Sequence, residues 1–595
     1  MKKHLLIKFG IVLLLQISAC DGCRKPVVNP TAFEDFDPEK LRTAIQLTLE
    51  TLRKDTAHTH YYDTLAVYYK NNDYSPVWFG VIKDSMFRVN LFRLWDSIPF
   101  EGFKQNHYAV KELKERILGI GKIKEKNLYR DLALLELKLS NSMVTLWHDK
   151  LIGRSNPIDV LGAKYTLPYP SKPFQLLAVL SPDSGVIKTA RYYPAQSDYW
   201  RLKKMLMERF GETEGTETFI DTVGVRKVKP GDTTAIVPLL TRRLVELGLA
   251  PDSLMTDSSF IYSKAIAKYV IEFQKVSNVT DDGIIGKATL KLLNASKNDK
   301  INEIRANMER IRWFSESPPK PYVMVNLPEF MLYMVYPDSV KSTPVCIGQG
   351  KERLFEQKLI KYSKTKRYTD KPQNHETPQV YSNIDYVILN PTWTVPSSIV
   401  GREMYGKIVK DPGYLIRNGY QVFKNNEAIS PYDINWRQYS PGNIPFTIRQ
   451  DAGDENSLGK IKFTFKNPFS VYLHDTPLKN KFKLNNRAVS HGCVRVQNPM
   501  DFAGFVLQQN LKLNYEEVRM KMGLSPTDSL MARAWREDTT SYKKIVKGTY
   551  PVRLENKLTV FFDYKTIVFD EFGMPRFIYD VYDKNRLIIE AMDKP

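Results

Sequence analysis

The sequence predicts a multidomain α+β protein in which helical domains precede a mainly β domain. Its 595 residues exceed what one hydrophobic core usually organises, so several domains are expected. In the N-terminal half, apolar residues such as Leu41, Ile45 and Leu52 recur at helical spacing. In the C-terminal half, apolar and polar positions alternate, as in Ile461, Phe463 and their neighbours. This change of period divides the chain.

The first 19 residues predict an export signal. Three lysines precede the apolar run Ile11–Leu15, which is too short to span a membrane. The string Ile17-Ser18-Ala19-Cys20 resembles a lipobox, which directs cleavage before a cysteine that receives diacylglycerol. We therefore expect a lipid-anchored protein of the bacterial cell envelope that faces the periplasm, with residues 20–37 as a tether. An ordinary signal peptide cut nearby is the alternative, and the choice of inner or outer membrane stays open.

The net charge of +21 marks the chain as strongly basic. Cleavage after residue 19 removes three lysines and no acid, which leaves +18. An exported lipoprotein does not meet nucleic acid, so membrane headgroups and carboxylate-bearing cell-wall peptides are the expected partners. A lysine-rich surface with no specific partner is the alternative.

The four cysteines show no metal-ligand spacing, and no cofactor is expected. Cys346 stands in the apolar run Pro344–Ile347 and is expected in the core. Cys23 lies in the tether, beside the expected lipid anchor, and we assign it no role.

Three helical segments are expected before the β domain. Residues 38–228 form a mainly helical domain, and residues 229–296 form a small helical unit. In that unit, Asp282-Gly283-Ile284-Ile285-Gly286 supplies a tight turn that starts a helix. A charged linker helix follows at 297–319.

From residue 320 the pattern becomes alternating. Tyr322–Asn326 and Met331–Val335 flank Pro328-Glu329 and predict a β-hairpin. We expect a mainly β domain over 320–515, with a polar, lysine-rich insertion at about 350–440. Strands in the C-terminal extension 516–595 are expected to complete this domain.

The segment from Tyr472 to Pro499 carries the candidate chemistry. His474 is followed by Ser490-His491-Gly492-Cys493 and then by Val494-Arg495-Val496. A cysteine acyl-transfer enzyme needs a thiol nucleophile, an imidazole that moves the proton, and backbone N–H groups for the oxyanion. This segment offers all three. A buried structural cysteine near two surface histidines is the alternative.

These strings closely resemble the active-site signature of the L,D-transpeptidases, which cross-link peptidoglycan stem peptides. The string Asn390–Pro396 resembles their capping insertion, and residues 38–228 resemble the scaffold domain of the large periplasmic type. Phe273-Gln274 with the turn at 282–286 resembles a peptidoglycan-binding domain. Whether that unit binds glycan or only spaces the domains stays open.

The resemblance implies a role for each residue of the motif. Cys493 is the nucleophile, His474 the general base and acid, and His491 a supporting residue. Backbone N–H groups of Gly492 and Cys493 are expected to bind the oxyanion, with Ser490 beside them. Asp475 or the carbonyl next to it is expected to orient His474.

Further residues are expected to shape the substrate groove. Arg495, two residues after the nucleophile, would share its face of a strand, where an ion pair and carboxylate binding are both possible. The expected substrate contacts are Asp475, Trp393, Tyr472 and Asn456.

The implied reaction has two steps. Cys493 attacks the carbonyl at residue three of a tetrapeptide donor stem and releases D-alanine, and an amine of a neighbouring stem then resolves the thioester as a 3→3 cross-link. Water as acceptor gives L,D-carboxypeptidase activity, and a protein acceptor gives attachment to peptidoglycan. A wall-binding lipoprotein with a dormant catalytic domain is the alternative from a different class.

Overall fold

The computed structural model describes most of the chain. The expected signal peptide, Cys20, Cys23 and all but the last two residues of the expected tether lie outside the described residues. The described residues are 36–53, 61–169, 180, 194, 196–211, 217–221, 227–256, 259–314, 317–508, 515–537 and 548–594.

The chain divides into two compact units, one comprising residues up to 96 with 105–146 and 174–189, and the other comprising the rest. The helices of the first unit, together with the long helix that continues from it, are Pro38–Leu52, Tyr62–Asn71, Ser85–Asp96, Val110–Leu118 and Leu128–Ile152.

In the first unit, the aromatic run around residue 70 is core. Tyr69 and Trp78 are fully buried. The buried carboxylate of Glu136 accepts hydrogen bonds from the Tyr69 hydroxyl at 2.8 Å and from the backbone N–H groups of Val77, Trp78 and Phe79. A buried carboxylate requires such partners, so these contacts fix the loop that carries Trp78.

The second unit contains the remaining helices. Its long helix before the β domain begins with a reciprocal cap between Ser296 and Asp299. Among the described residues, no helix combines the length and the apolar character needed to cross a membrane. The helices are Pro157–Leu161, Ser197–Gly211, Val237–Glu246, Lys264–Val276, Lys287–Leu293, Lys297–Trp313, Phe355–Thr365, Ser397–Ile399, Tyr405–Lys410, Gly413–Arg417, Pro499–Leu507, Tyr515–Lys521, Ser529–Glu537 and Lys584–Met592.

The small unit at 229–296 packs its helix faces around an apolar core that also includes Ile220 and Val228 from the preceding segment. Gln274 is fully buried, and its amide holds the glycine turn by donating to the Ile284 carbonyl at 2.9 Å and accepting from the Gly283 N–H at 2.9 Å. Gly283 has a φ of +68°, which favours glycine. The Phe-Gln and Asp-Gly strings therefore meet in space because one side chain locks the turn that starts the next helix.

The β domain is a closed barrel. The strands of the chain are β1 Tyr165–Thr166, β2 Tyr322–Asn326, β3 Met331–Val335, β4 Val340–Gly348, β5 Gln379–Leu389, β6 Trp393–Thr394, β7 Tyr420–Lys424, β8 Glu427–Ile429, β9 Thr447–Gln450, β10 Ile461–Phe465, β11 Leu473–His474, β12 Ala488–Ser490, β13 Val494–Val496, β14 Tyr550–Asp563, β15 Ile567–Phe569 and β16 Pro575–Phe577. In the barrel, β14 pairs with β2 on one side and with β5 on the other, which closes the strand order β5-β10-β11-β13-β4-β3-β2-β14.

The barrel interior is filled by one face of its strands together with the helix Pro499–Leu507. Leu473, Val494 and Val496 belong to this core, so the neighbouring residues His474 and Arg495 lie on the opposite face. The C-terminal strand β14 closes the barrel, although it is separated from β2 by more than two hundred residues.

A second, smaller sheet has the strand order β6-β9-β7-β8 and its own apolar core, and we call it the capping sheet. It runs over 393–450, which differs from the insertion expected at about 350–440. The expected range includes β5, which pairs with β10 and β14 in the barrel, and it omits β9, which pairs with β6 and β7. The lysines and prolines around β5 give this stretch a polar composition, so the sequence did not indicate a buried barrel strand within it.

Candidate active site

Strand register gathers the predicted catalytic residues on one face of the barrel. β11 pairs with β13 in parallel, with Leu473 opposite Val494 and His474 opposite Arg495. One residue before each of these two strands, Tyr472 comes beside Cys493. Since Leu473 and Val494 point into the core, the other residues share the outer face.

These outer-face residues belong to a row that crosses four neighbouring strands. Lys462 of β10 lies opposite His474, and Cys346 of β4 lies opposite Arg495. Cys346 is fully buried, as expected of a core residue. Lys462 was not among the expected site residues, because its alternating strand carries no motif.

Tyr472 lies directly against the thiol. Its hydroxyl hydrogen-bonds to Cys493 and to Trp393 of the capping sheet, and the Lys462 ammonium lies 3.7 Å from the centre of its ring. Burial raises the pKa of the Cys493 thiol, while hydrogen bonds from Tyr472 and the charges of Lys462 and Arg495 act in the opposite direction. Tyr472 and Trp393, two of the expected substrate contacts, therefore lie close to Cys493.

His474 is buried and held by a backbone carbonyl rather than by a carboxylate. Its Nδ1 lies 2.5 Å from the Asp475 carbonyl oxygen, so Nδ1–H donates and Nε2 keeps its lone pair. Burial, followed by the charge of Arg495, lowers the pKa of His474 to about 3; Lys462 adds to this, and the carbonyls of Asp475 and Leu458 oppose it. At neutral pH the imidazole is uncharged and able to accept a proton.

The glycine of the motif adopts a backbone that requires glycine. Gly492 has a φ of +121°, and its carbonyl accepts from the Thr377 hydroxyl at 2.8 Å. Its N–H, expected in the oxyanion site, instead donates to Ser490 Oγ at 3.2 Å. Ser490 Oγ donates in turn to the Cys493 carbonyl at 2.6 Å. Ser490 thus shapes the loop, and the Cys493 N–H is the expected oxyanion donor that remains.

Two expected substrate contacts are engaged within the protein. The Asp475 carboxylate accepts from Lys479 Nζ at 2.7 Å and from the Lys460 N–H at 3.0 Å. Asn456 is buried, donates to the Asp451 carbonyl at 2.7 Å and accepts from the Leu458 N–H at 2.8 Å. Both side chains fix the loop before β10 through these bonds, and a substrate contact by either of them stays a prediction.

Comparison with known proteins agrees with this arrangement. A family model described as the L,D-transpeptidase catalytic domain matches residues 320–526, and a scaffold-domain model matches 63–206. The chain carries an L,D-transpeptidase catalytic domain. A Haemophilus influenzae protein named "Putative L,D-transpeptidase" is 34% identical over 137 residues, which is 23% of this chain. The match covers 28% of that relative's length.

In this transpeptidase domain, the second motif histidine lies in a different setting. His491 is partly exposed, and its Nε2 lies 2.5 Å from Oε1 of Glu403 in the capping insertion. Its ring meets that of His375 edge to face, with 4.8 Å between ring centres. Glu403 and His375 were missed by sequence analysis, because no spacing links them to the motif.

Residues 490–493 carry the expected nucleophile, and we call them the nucleophile loop. This loop is tied to the segment 373–377. Thr377 Oγ1 accepts from the Gly348 N–H at 2.8 Å as well as donating to Gly492. The Tyr582 hydroxyl, from the C-terminal segment, donates to the Gly348 carbonyl at 2.5 Å. The loop is thus braced from two distant parts of the sequence. Throughout the described ranges, no group of three or more His, Cys, Asp or Glu side chains is placed to hold a metal ion.

Proposed function

We propose that this protein is an L,D-transpeptidase that forms 3→3 peptidoglycan cross-links through a thioester on Cys493. The observation that carries the proposal is the shared barrel face of Tyr472, His474, Cys493 and Arg495, within a domain that matches the L,D-transpeptidase family model. The donor is a tetrapeptide stem, and the leaving group is D-alanine.

In the first step, Cys493 Sγ attacks the carbonyl carbon at residue three of the donor as Nε2 of His474 takes the thiol proton. Because the pKa of His474 is held low and that of Cys493 is raised, the resting pair is a neutral thiol and a neutral imidazole. The proton therefore moves as the carbon–sulfur bond forms. The Cys493 N–H stabilises the oxyanion, and the imidazolium returns the proton to the departing D-alanine nitrogen.

Two cations suit an anionic donor. Within the described residues, neither Lys462 nor Arg495 has a carboxylate partner, and the buried Arg495 Nε has no hydrogen bond. Stem peptides carry carboxylates, including that of the terminal D-alanine. Half-buried cations beside the nucleophile would attract these groups and stabilise the developing thiolate.

The direct test is product analysis with purified protein and tetrapeptide muropeptides. Wild type should release D-alanine and yield a 3→3 dimer, and Cys493→Ala should abolish both, while the matched control Cys23→Ala should retain them. Release of D-alanine with only tripeptide monomers would identify a carboxypeptidase. Activity of Cys493→Ala near wild type would contradict the proposed nucleophile.

We also propose that the unit at 229–296 binds peptidoglycan. The support is the Asp-Gly turn held by Gln274 and the compact apolar core on which the unit's helices pack. Deleting 229–295 should weaken sedimentation with insoluble peptidoglycan but spare cleavage of short soluble peptides. Unchanged sedimentation would assign the unit a spacer role.

We further propose a lipid anchor on Cys20 that holds the protein in the cell envelope, facing the periplasm. The support is the leader and the Ile-Ser-Ala-Cys string alone. Cys20→Ser should release the protein from membranes washed with high salt, whereas wild type should stay bound, because salt screens surface charge but not buried acyl chains. Equal release of both would contradict the anchor.

A further inference from the structure

The capping insertion presents one carboxylate to the motif. Glu403 lies on a π-helical turn, Val400–Met404, a rare local geometry that is frequent at functional sites. Its Oε1 is 2.5 Å from Nε2 of His491, two residues before the nucleophile. The two side chains are 49% and 38% exposed, so the pair is open to solvent and to an incoming substrate.

The pair fixes which ring nitrogen holds the lone pair. With Glu403 accepting from Nε2–H, the proton acceptor of His491 is Nδ1. No hydrogen bond engages this Nδ1 in the part of the chain that the structure describes. The other titratable group facing His491 is His375, whose pKa is lowered by burial and by His491 itself. The charges of Lys164 and Arg402 lower the pKa of His375 further, and that of Glu403 raises it.

The second step of a transpeptidation requires the removal of a proton from the acceptor amine, which the first step does not. The acceptor amine arrives as a primary ammonium ion, which has no lone pair for attack. His474 is buried on the same barrel face as Cys493, and the charges of Lys462 and Arg495 disfavour further positive charge there. An exposed imidazole paired with a carboxylate is suited to take a proton from a cation, because the carboxylate stabilises the imidazolium that forms.

We propose that Glu403 and His491 form the base for the acceptor, with Nδ1 of His491 deprotonating the primary ammonium of the acceptor stem and Glu403 positioning the ring. The inference rests on the proposed function. One ammonium proton passes to Nδ1, and the nitrogen lone pair attacks the thioester carbonyl. The C–N bond forms as the C–S bond breaks, Sγ leaves with the bonding pair, and a second nitrogen proton returns to Sγ through His474. His491 then releases its proton to solvent.

The test compares two acceptors on the same acyl-enzyme. One is a stem peptide with a primary amine, and the other is hydroxylamine, which is unprotonated at neutral pH and needs no base. For each variant, the rate of amide formation with the stem is divided by the rate of hydroxamate formation with hydroxylamine. In Glu403→Gln this ratio should fall at least about tenfold. The ratio should recover as the pH is raised towards the titration of the acceptor ammonium, and Glu403→Asp should restore it in part.

Glu427→Gln, an exposed carboxylate on β8 of the same capping sheet, is the matched control and should leave the ratio unchanged. Equal losses with both acceptors, or no loss, would overturn the inference while leaving the proposed function intact. Absence of D-alanine release by wild type would instead overturn the proposed function, and this inference with it.

Discussion

The two imidazoles of the site occupy opposite environments on two regions of the domain. His474 stands on the barrel, is 4% exposed, and is held by a carbonyl. His491 stands on the nucleophile loop, is open to solvent, and meets a carboxylate from the capping insertion. The contrast matches the two proposed roles, a base for the thiol on the rigid sheet and a base for the incoming acceptor beside the insertion.

The largest expected effect separates the two histidines. His474→Ala should slow D-alanine release about a thousandfold, since the thiol then has no base, and His491→Ala should slow this step much less, by about tenfold. The measurement is D-alanine release without an added amine acceptor. If His491→Ala proved the more damaging change, the two roles would be exchanged.

The bracing of the nucleophile loop gives the next effect. A Cβ on Gly348 would lie 1.7 Å from the carbonyl oxygen of His375, so Gly348→Ala must displace backbone. Overpacking of this kind costs about 1–3 kcal/mol of unfolding free energy. Gly406, on the helix Tyr405–Lys410, has nothing within 4 Å, and Gly406→Ala should be neutral or stabilising. Denaturant unfolding of both variants tests this, and equal midpoints would contradict the close approach.

The burial of His474 also predicts a pH dependence of stability. The folded-state pKa of about 3 lies below the unfolded value, so only the unfolded chain takes up this proton as the pH falls below about 6.5. The stability is fully present above that pH and is lost progressively towards pH 3. Between pH 7 and pH 5 this one group should cost about 2 kcal/mol. As the pH is lowered, the unfolding free energy of His474→Gln should fall less steeply than that of wild type. Parallel curves for the two proteins would mean that the folded state does not shield this imidazole from protonation.

The smallest effect concerns the hydroxyl against the thiol. Tyr472→Phe removes a hydrogen bond that favours the thiolate, so the pKa of Cys493 should rise further. Alkylation by iodoacetamide should slow about tenfold at neutral pH, and its pH profile should move to higher pH. An unchanged profile would show that the contact does not tune the nucleophile.

Local patterns in the sequence predicted local structure well. The hairpin at 322–326 and 331–335 has the expected bounds, because alternation with a turn between is decided within a dozen residues. The motif also named His474 and Cys493 as a pair, and the pairing of β11 with β13 brings them to the same face of the barrel. The helix Lys584–Met592 that follows the predicted C-terminal strands was not predicted, since its short apolar pattern resembles the strands before it.

What escaped prediction depends on long-range pairing. Lys462 joins the site only because β10 lies beside β11 in this register, and Glu403 does so because the insertion folds back over the loop. The sequence offers Asp475 and Asn456 as substrate contacts but does not show their partners within the protein. Their bonds to Lys479 and to neighbouring backbone are visible only in the folded chain.

The central claim is that Cys493 forms a thioester with the donor stem. Mixing the protein with a tetrapeptide donor, quenching in acid and measuring the intact mass tests it most directly. We expect an adduct equal to the donor without its terminal D-alanine, mapped by peptide digestion to Cys493 and absent from Cys493→Ala. An adduct on another residue, or one that retains the D-alanine, would contradict the account.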